Sequence, residues 1–457
     1  MVGLLFQREV LPTLIIANPA GYKIELTKDY PVRESWMGIY FKDKKIGFSN
    51  TIVSHDIDKG IAGYRINEMA VLRFSMLGEQ QLVRIRGSSF FNEDYRLKNF
   101  SYKLVSGGHK LDISGYSEGE NLNITVDPGT GRKGKIIKID PDTLISNSIN
   151  PILLFKKLEK NRDISFEVFD PVTFGTSRAN IRNVGSEDIE FGKKSYHAYI
   201  FETDISGIKT KTWMTDNGDI LKEESILGFT MHKESPDQAF NFSDTFSFSA
   251  QDLVSEFSLP SNIAILRPGD VRYLKIKKDT SLEEISKDKE PFEENILTIP
   301  IQEIPEEEFV QSKDERIITL ARQIVGSEKN SWIASKMILH WVYDNLEKRP
   351  TLSVPDSLSV LNTMQGDCNE HTVLFTALTR SIGIPTKMVA GLVYLNNAFY
   401  YHAWPRVYVG EWINMDPTLG QEIADATHIP LLEGGLKEQL NLVNIIGTLK
   451  IEILEYK

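Results

Sequence analysis

From about Trp36 to about Ser249 apolar and polar residues alternate in short runs, as in MGIYFKDKKIGFSNTIV (37–53), YHAYIFETDISGIKTKTWMTDNGDILKEES (196–225) and FNFSDTFSFSA (240–250). A period of two puts one set of side chains on one face of a sheet, so these runs predict half-buried strands. Thr215-Asp216-Asn217-Gly218-Asp219 separates a strand ending near Trp213–Met214 from one beginning at Ile220. That is hairpin chemistry, because Asn and Gly accept the positive φ a tight turn needs. Long antiparallel meanders follow. One helix is expected to interrupt them at SNSINPILLFKKLEK (146–160), where Ile149, Ile152, Leu153, Phe155 and Leu158 lie mainly on one side and would cover a face of a curved sheet.

Beyond residue 250 come two short apolar runs, Ile263 to Leu266 and Val271 to Ile276, and then a stretch broken by Pro291, Pro300 and Pro305. From Ser312 the period becomes helical in DERIITLARQIVG, SWIASKMILHWVYDNLEKR and CNEHTVLFTALTRSIG, after which strands return at TKMVAGLVYL, FYYHAWPRVYV and EWINMD. Helices followed by an antiparallel sheet predict an α+β domain. The expected organisation is an N-terminal extension at 1–35, an antiparallel β-rich domain at 36–249, a small β module with connector at 250–311, and an α+β domain at 312–457.

Composition narrows the function classes. The chain of 457 residues has 41% hydrophobic and 25% charged residues, enough apolar material for real cores. Its net charge of −11 argues against a surface that tracks phosphates, so no nucleic-acid partner is expected. The acidity is concentrated: residues 281–310 hold ten acidic residues against Lys287 and Lys289, which reads as a solvated connector. No apolar run is long enough to span a membrane. The opening MVGLLFQREVLP reads as an ordinary N-terminus or as the remnant of an anchor or signal, which would bring the protein near a membrane.

GTGRKGKI (129–136) matches Gly-x4-Gly-Lys, but Ile136 stands where a phosphate-binding loop needs Ser or Thr, and no helix follows. A basic turn between strands is the better reading. The single cysteine, Cys368, excludes an internal disulfide and multi-cysteine zinc sites.

Cys368 sits in an informative place. Gly366 and Asp367 break the chain, and Asp367 with Glu370 forms an Asp-x-x-Glu capping box, so a helix begins at Cys368. Leu374, Phe375, Leu378 and Ile382 then share one face, and Gly383 and Pro385 close the helix. A buried structural cysteine would lie on that apolar face; Cys368 lies in the first turn, where free N–H groups and the helix dipole favour an anion. His371, three residues on, raises a weak zinc reading with Cys368, but Glu370 is already explained by capping, and neither metal nor cofactor is expected.

His402 lies in FYYHAWPRVYV and Asp416 at the end of EWINMD. A two-residue turn at Gly410-Glu411 would pair Val409 with Trp412 and put His402 and Asp416 on opposite faces. A three-residue turn, Val409-Gly410-Glu411, pairs Tyr408 with Trp412 and leaves His402 one diagonal step from Asp416. The second register is therefore predicted. Cys368 as nucleophile, His402 as base and Asp416 as orienter are then the parts of an acyl-transfer triad.

Gly366-Asp367-Cys368, the SIGIPTK run, His402-Ala403-Trp404 and Trp412 to Thr418 together resemble the signature of transglutaminase-like, or papain-like cysteine, domains over roughly Ser312 to Lys457. The resemblance implies the same three roles. It leaves the oxyanion hole open: the Cys368 N–H is one donor and Gln365 the nearest side-chain candidate. Asn369 stands where the classical animal enzymes carry an aromatic residue, so hydrolysis, ligation and cyclisation all stay open beside cross-linking. The β-rich half, with its WMTDNGDILKEE run, resembles the half-barrel of bacterial lipoprotein-carrier-like domains. Two functions are carried forward: a cysteine enzyme acting on amide or peptide bonds of a peptide or protein substrate, and a non-catalytic envelope binding or scaffold protein. The expected location is the bacterial periplasm or envelope, with the cytoplasm as the alternative.

Overall fold

A computed structural model describes residues 32–457, apart from 77, 94–95, 107–108, 130, 139–143, 146–162, 171–174, 192–193, 206–207, 217, 226–227, 242–251, 280, 289–308, 351–355, 436–441 and 443–448. The expected helix at 146–160 lies outside the described residues. Two compact units divide the chain near residue 250.

The first unit is one sheet of fifteen strands, half-barrel-like and open, with Lys133–Lys138 at one edge and Leu144–Ile145 at the other; it is antiparallel throughout except that Leu144–Ile145 joins Asp163–Asp170 in parallel. Strands from Val32–Phe41 to Lys133–Lys138 form one meander of neighbours in sequence, and strands from Asp163–Asp170 to Phe229–Lys233 form a second. Val32–Phe41 joins them by pairing with Phe229–Lys233, Ile39 opposite Met231. Alternation sets which face is buried: along Leu97–Ser106, Phe100, Tyr102, Leu104 and Ser106 are inside. The hairpin at 213–220 forms as the turn chemistry predicts, Thr215 N–H bonding the Asp219 carbonyl at 2.9 Å.

The run at 240–250 departs from the strand expectation where it is described. Phe240 ends a helix, Pro236–Phe240, because Ser235 and Gln238 form a capping box and Pro236 occupies the first turn. Gly129 and Gly131 have positive φ and lead into a strand, Lys133–Lys138, not into a phosphate-cradling helix.

Glu223 is 1% exposed and keeps Oε2 without a partner among the described residues, Oε1 accepting from Thr212 at 3.1 Å. Burial pushes its carboxyl up to about 8, a rise that the Thr212 hydrogen bond only partly offsets. A raised folded value means stability that is full below the unfolded value and is lost as pH climbs through about 8. Glu223→Gln is therefore expected to remove about 3 kcal/mol of destabilisation that the wild-type unit acquires between about pH 5 and pH 8. Urea unfolding of both proteins at the two pH values measures it; parallel pH dependences would contradict it.

In the second unit a five-stranded antiparallel sheet runs in the order Leu259–Pro260, Ala398–Tyr408, Thr386–Leu395, Ile429–Glu433, with Trp412–Asn414 also pairing Ala398–Tyr408. A three-stranded sheet joins Ser281–Ser286, Tyr273–Lys278 and the C-terminal Ile451–Tyr456. The start of the acidic run is thus strand, whereas residues 289–308 lie outside the described residues. Helices Glu315–Val325, Ser331–Asn345 and Cys368–Ser381 form where the period predicts them, and a further helix, Ser357–Thr363, is capped by Asp356. Their apolar faces meet in one core: Ile317, Ala321, Ile338, Val342, Leu374, Phe375 and Leu378 pack with Met388, Val407 and Met415 from the sheet side. Gly391 lets the sheet close behind the site, since a Cβ there would lie 2.1 Å from the Ile429 carbonyl oxygen and 2.8 Å from Trp404 Cη2.

Candidate active site

The segment before Cys368 is pinned as a short parallel bridge, with Glu347 opposite Gln365 and Lys348 opposite Gly366. Asp367 is extended and caps the helix, accepting from the Asn369 N–H at 2.9 Å, while Glu370 folds back to accept from the Asp367 N–H at 3.0 Å. Only glycine permits this at 366: a Cβ would sit 2.1 Å from the Glu370 Cβ. The capping box thereby fixes Cys368 at the first helical position, its side chain 9% exposed. There its N–H has no intrahelical carbonyl partner, by the geometry of any helix start.

His402 stands in the strand Ala398–Tyr408, paired with Gly391. Tyr408 pairs directly with Trp412, the register of the three-residue turn, and Gly410 supplies its positive φ of 100°. The ladder stops at Asn414, two residues before Asp416, which opens a tight turn instead of ending the strand: its backbone exchanges hydrogen bonds with Gln421 at 2.8 and 2.9 Å. The side chains nonetheless meet. His402 Nε2 donates to Asp416 Oδ2 at 2.7 Å, and both residues are buried, at 6% and 0% exposure. Cys368 lies near enough to the imidazole for its sulfur to help hold the proton there. Since Nε2 is committed to Asp416, Nδ1 is the nitrogen that serves the sulfur.

Burial alone would push the His402 imidazolium down; the charge and hydrogen bond of Asp416, then the hydrogen bond and charge of Cys368, outweigh it and lift His402 to about 10. Asp416 is buried too, which would raise it, but His402 and then His428 hold its carboxyl well below the usual range. The imidazolium–carboxylate pair is the stable form.

Trp404 stacks beside His402 with ring centres 6.0 Å apart, and its indole N–H donates to Asn414 Oδ1 at 3.1 Å. Asn414 is held in turn by Asp288 Oδ2, which accepts from its backbone and side-chain nitrogens at 2.8 Å each. A ring that cannot swing fixes the face of the imidazole it touches.

Sequence reasoning missed His428. It is 4% exposed, and its Nε2 reaches the same Asp416 Oδ2 at 3.0 Å. It precedes a short strand inside ATHIPLLE and shares no spacing with the other site residues, so only the three-dimensional structure of Asp416's neighbourhood finds it. Of the remaining candidates, Gln365 donates from Nε2 to Glu347 Oε2 at 2.9 Å on an exposed edge. His371 donates from Nδ1 to the Asp367 carbonyl at 2.7 Å, and its buried Nε2 has no partner among the described residues. Burial holds His371 below the ordinary imidazole value, partly countered by its hydrogen bond to the Asp367 backbone.

Among the described residues His402, Asp416 and His428 form a set whose ligand atoms lie within 4.8 Å of one another, and Cys368 with His371 belongs to no such set. Ligands about 2.0–2.2 Å from a tetrahedral zinc are about 3.3 Å or more apart. The separations of 2.7 and 3.0 Å are shorter and fit shared protons.

Residues 318–417 match the model of the transglutaminase-like superfamily, a span that contains Cys368, His402 and Asp416. No curated protein matches the sequence. Among solved structures the chain is similar to a β-barrel-like protein of a domain of unknown function from Brucella abortus, with 11% identity and a TM-score of 0.35 over 45% of this chain and 94% of that one. It is also similar to a candidate cysteine protease from Cytophaga hutchinsonii, with 13% identity and a TM-score of 0.29 over 66% of this chain and 80% of that one.

Proposed function

We propose that the transglutaminase-like region is a cysteine acyl-transfer enzyme acting on amide or peptide bonds through Cys368, His402 and Asp416. The observation that carries this reading is the buried bond of His402 Nε2 to Asp416 Oδ2 at 2.7 Å, which leaves Nδ1 for the nearby Cys368 sulfur. A histidine held only for packing has no need of a buried carboxylate on one nitrogen and the chain's one thiol nearby.

The chemistry follows from that geometry. The Cys368 sulfur attacks the substrate carbonyl carbon, forming a C–S bond, and the carbonyl oxygen takes the negative charge beside the Cys368 N–H and the helix N-terminus. His402 gives the Nδ1 proton to the departing amine as the C–N bond breaks, leaving a thioester. Water or a second amine then adds to the thioester carbonyl, His402 takes its proton, and the thiolate leaves. Hydrolysis and transamidation differ only in that acceptor. Because Gln365 is engaged with Glu347, the Cys368 N–H is the oxyanion donor this reading relies on. A peptide or protein substrate in the bacterial envelope is the setting we propose, on the pairing of a half-barrel-like sheet with such a domain in one chain.

The test is amine release from a peptide-amide library by the full chain, before and after treatment with iodoacetamide. Turnover is expected to fall in proportion to carbamidomethylation of the single thiol. Full turnover by a completely alkylated protein would contradict the mechanism, and no turnover on any donor from an unmodified, folded protein would favour a scaffold.

A further inference from the structure

The Asp416 carboxylate makes four hydrogen bonds, all as acceptor. Oδ1 takes the N–H groups of Thr418 at 2.7 Å and Leu419 at 2.9 Å, and Oδ2 takes His402 at 2.7 Å and His428 at 3.0 Å. A carboxylate offers about four such positions, so every one is filled. His428 is therefore part of what fixes the oxygen that His402 uses.

The other nitrogen of His428 also faces acceptors: Nδ1 lies 3.2 Å from the Asp425 carbonyl and 3.3 Å from Asp425 Oδ1. A ring whose two nitrogens both face oxygen acceptors carries a proton on each. His428 is thus a buried imidazolium between two carboxylates. Asp425 is itself braced, with Gln421 Nε2 donating to Oδ2 at 2.7 Å and the Thr427 N–H donating to Oδ1 at 2.8 Å. Burial would lower His428, but its bonds to Asp416 and Asp425 raise it above the ordinary value.

We infer that His428, carried by Asp425, is a positioning residue for the acyl-transfer site: it locks Asp416 Oδ2 toward His402 and shares that carboxylate's charge, so that His402 can surrender its proton to a leaving amine. This inference rests on the reading of Cys368, His402 and Asp416 as a triad. A lone aspartate would bind the His402 proton more tightly; a second cation on the same oxygen, its ring centre 5.8 Å from that of His402, weakens the hold.

The other charges around His428 do not replace it. It lines a cleft of about 430 Å³ with Asp288, Arg406, Asp425 and Glu433. Arg406 pairs with Glu433 at 3.7 Å, and Asp288 is occupied by Asn414. On the helix side burial holds His371, which Asp416's charge reaches, below the ordinary imidazole value.

The test is the pH dependence of Cys368 alkylation by iodoacetamide, which needs no substrate, in wild type, His402→Ala, His428→Phe and His428→Gln, each with a thermal melt. His428→Phe removes both the hydrogen bond and the charge. Alkylation is expected to slow on the order of 10–100-fold, the loss typical when a hydrogen-bond partner that orients a metal-bound histidine is removed. The basic limb of the profile is expected to move up by about one to two pH units as His402 holds its proton more tightly. His428→Gln restores a neutral donor, so much of the rate returns while the shifted limb stays. A folded His428→Phe with the wild-type rate and limb overturns the inference. If that variant does not fold, His428→Gln decides, because a wild-type limb there overturns it equally. A His402→Ala protein that keeps the wild-type profile overturns the triad reading itself, whatever the His428 variants do.

Discussion

Cys368→Ala is expected to remove turnover, with a loss in kcat on the order of 10⁶, the size seen when a covalent nucleophile is deleted. The loss should be complete because the chain has one cysteine, so no neighbouring thiol can stand in. The fold should survive. Cys368 lies at the start of its helix, and the capping box of Asp367 and Glu370 does not use its side chain. The thermal melt should therefore shift little, and substrate should still bind. Steady-state kinetics with a melt alongside checks both halves: turnover that persists in a folded Cys368→Ala protein would remove the sulfur from the mechanism.

Asp416→Asn is expected to cost on the order of 10⁴ in kcat, the effect known when a triad carboxylate becomes an amide. The hydrogen-bond pattern says why. All four contacts to the Asp416 carboxylate come from donors, Thr418 N–H and Leu419 N–H on one oxygen and His402 and His428 on the other. An amide has one oxygen. If that oxygen keeps the two backbone donors, the NH₂ group faces both imidazoles, and His402 must turn its Nε2 into an acceptor and carry its proton on Nδ1. It then presents a proton to the thiol and cannot act as its base. If the amide flips, the NH₂ group, buried at Asp416, meets two backbone N–H groups of a half-buried turn, and stability falls by about 1–3 kcal/mol for the unmatched donors. Either arrangement loses the reaction. Rate measurements with ¹⁵N spectra of the imidazole should show the changed tautomer; near-wild-type kcat would contradict the role given to Asp416.

Local signals made most of the site legible. The helix start at Cys368 follows from Asp367 and Glu370 three residues apart, and the structure has both capping bonds. Strand parity selected the turn at 409–411, and Tyr408 does face Trp412. Parity could not show that the ladder ends at Asn414, because the turn from Asp416 to Gln421 is set by side-chain bonds within it. His428 was invisible for a related reason: its role depends on Asp425 and Asp416 converging from a loop that has no period.

In the fold, neighbouring strands were predictable from turns, but pairings between distant segments were not. Val32–Phe41 with Phe229–Lys233, Leu259–Pro260 with Phe399 and Ala398, and Tyr273–Lys278 with Ile451–Tyr456 all join segments far apart in sequence. Alternation tells which face a strand buries, not which distant partner it finds. Ser357–Thr363 was missed because seven residues are too short for a helical period, and its start depends on Asp356, which is fully buried.

The central claim is that Cys368 carries the acyl group. Rapid acid quench of the full chain with an activated acyl donor, followed by intact mass and peptide mapping, tests it most directly. The expected result is a single acyl adduct on Cys368, formed before the second product appears and greatly slowed in His402→Ala. Consumption of the donor with no adduct on Cys368, or an adduct on another residue, would contradict the account.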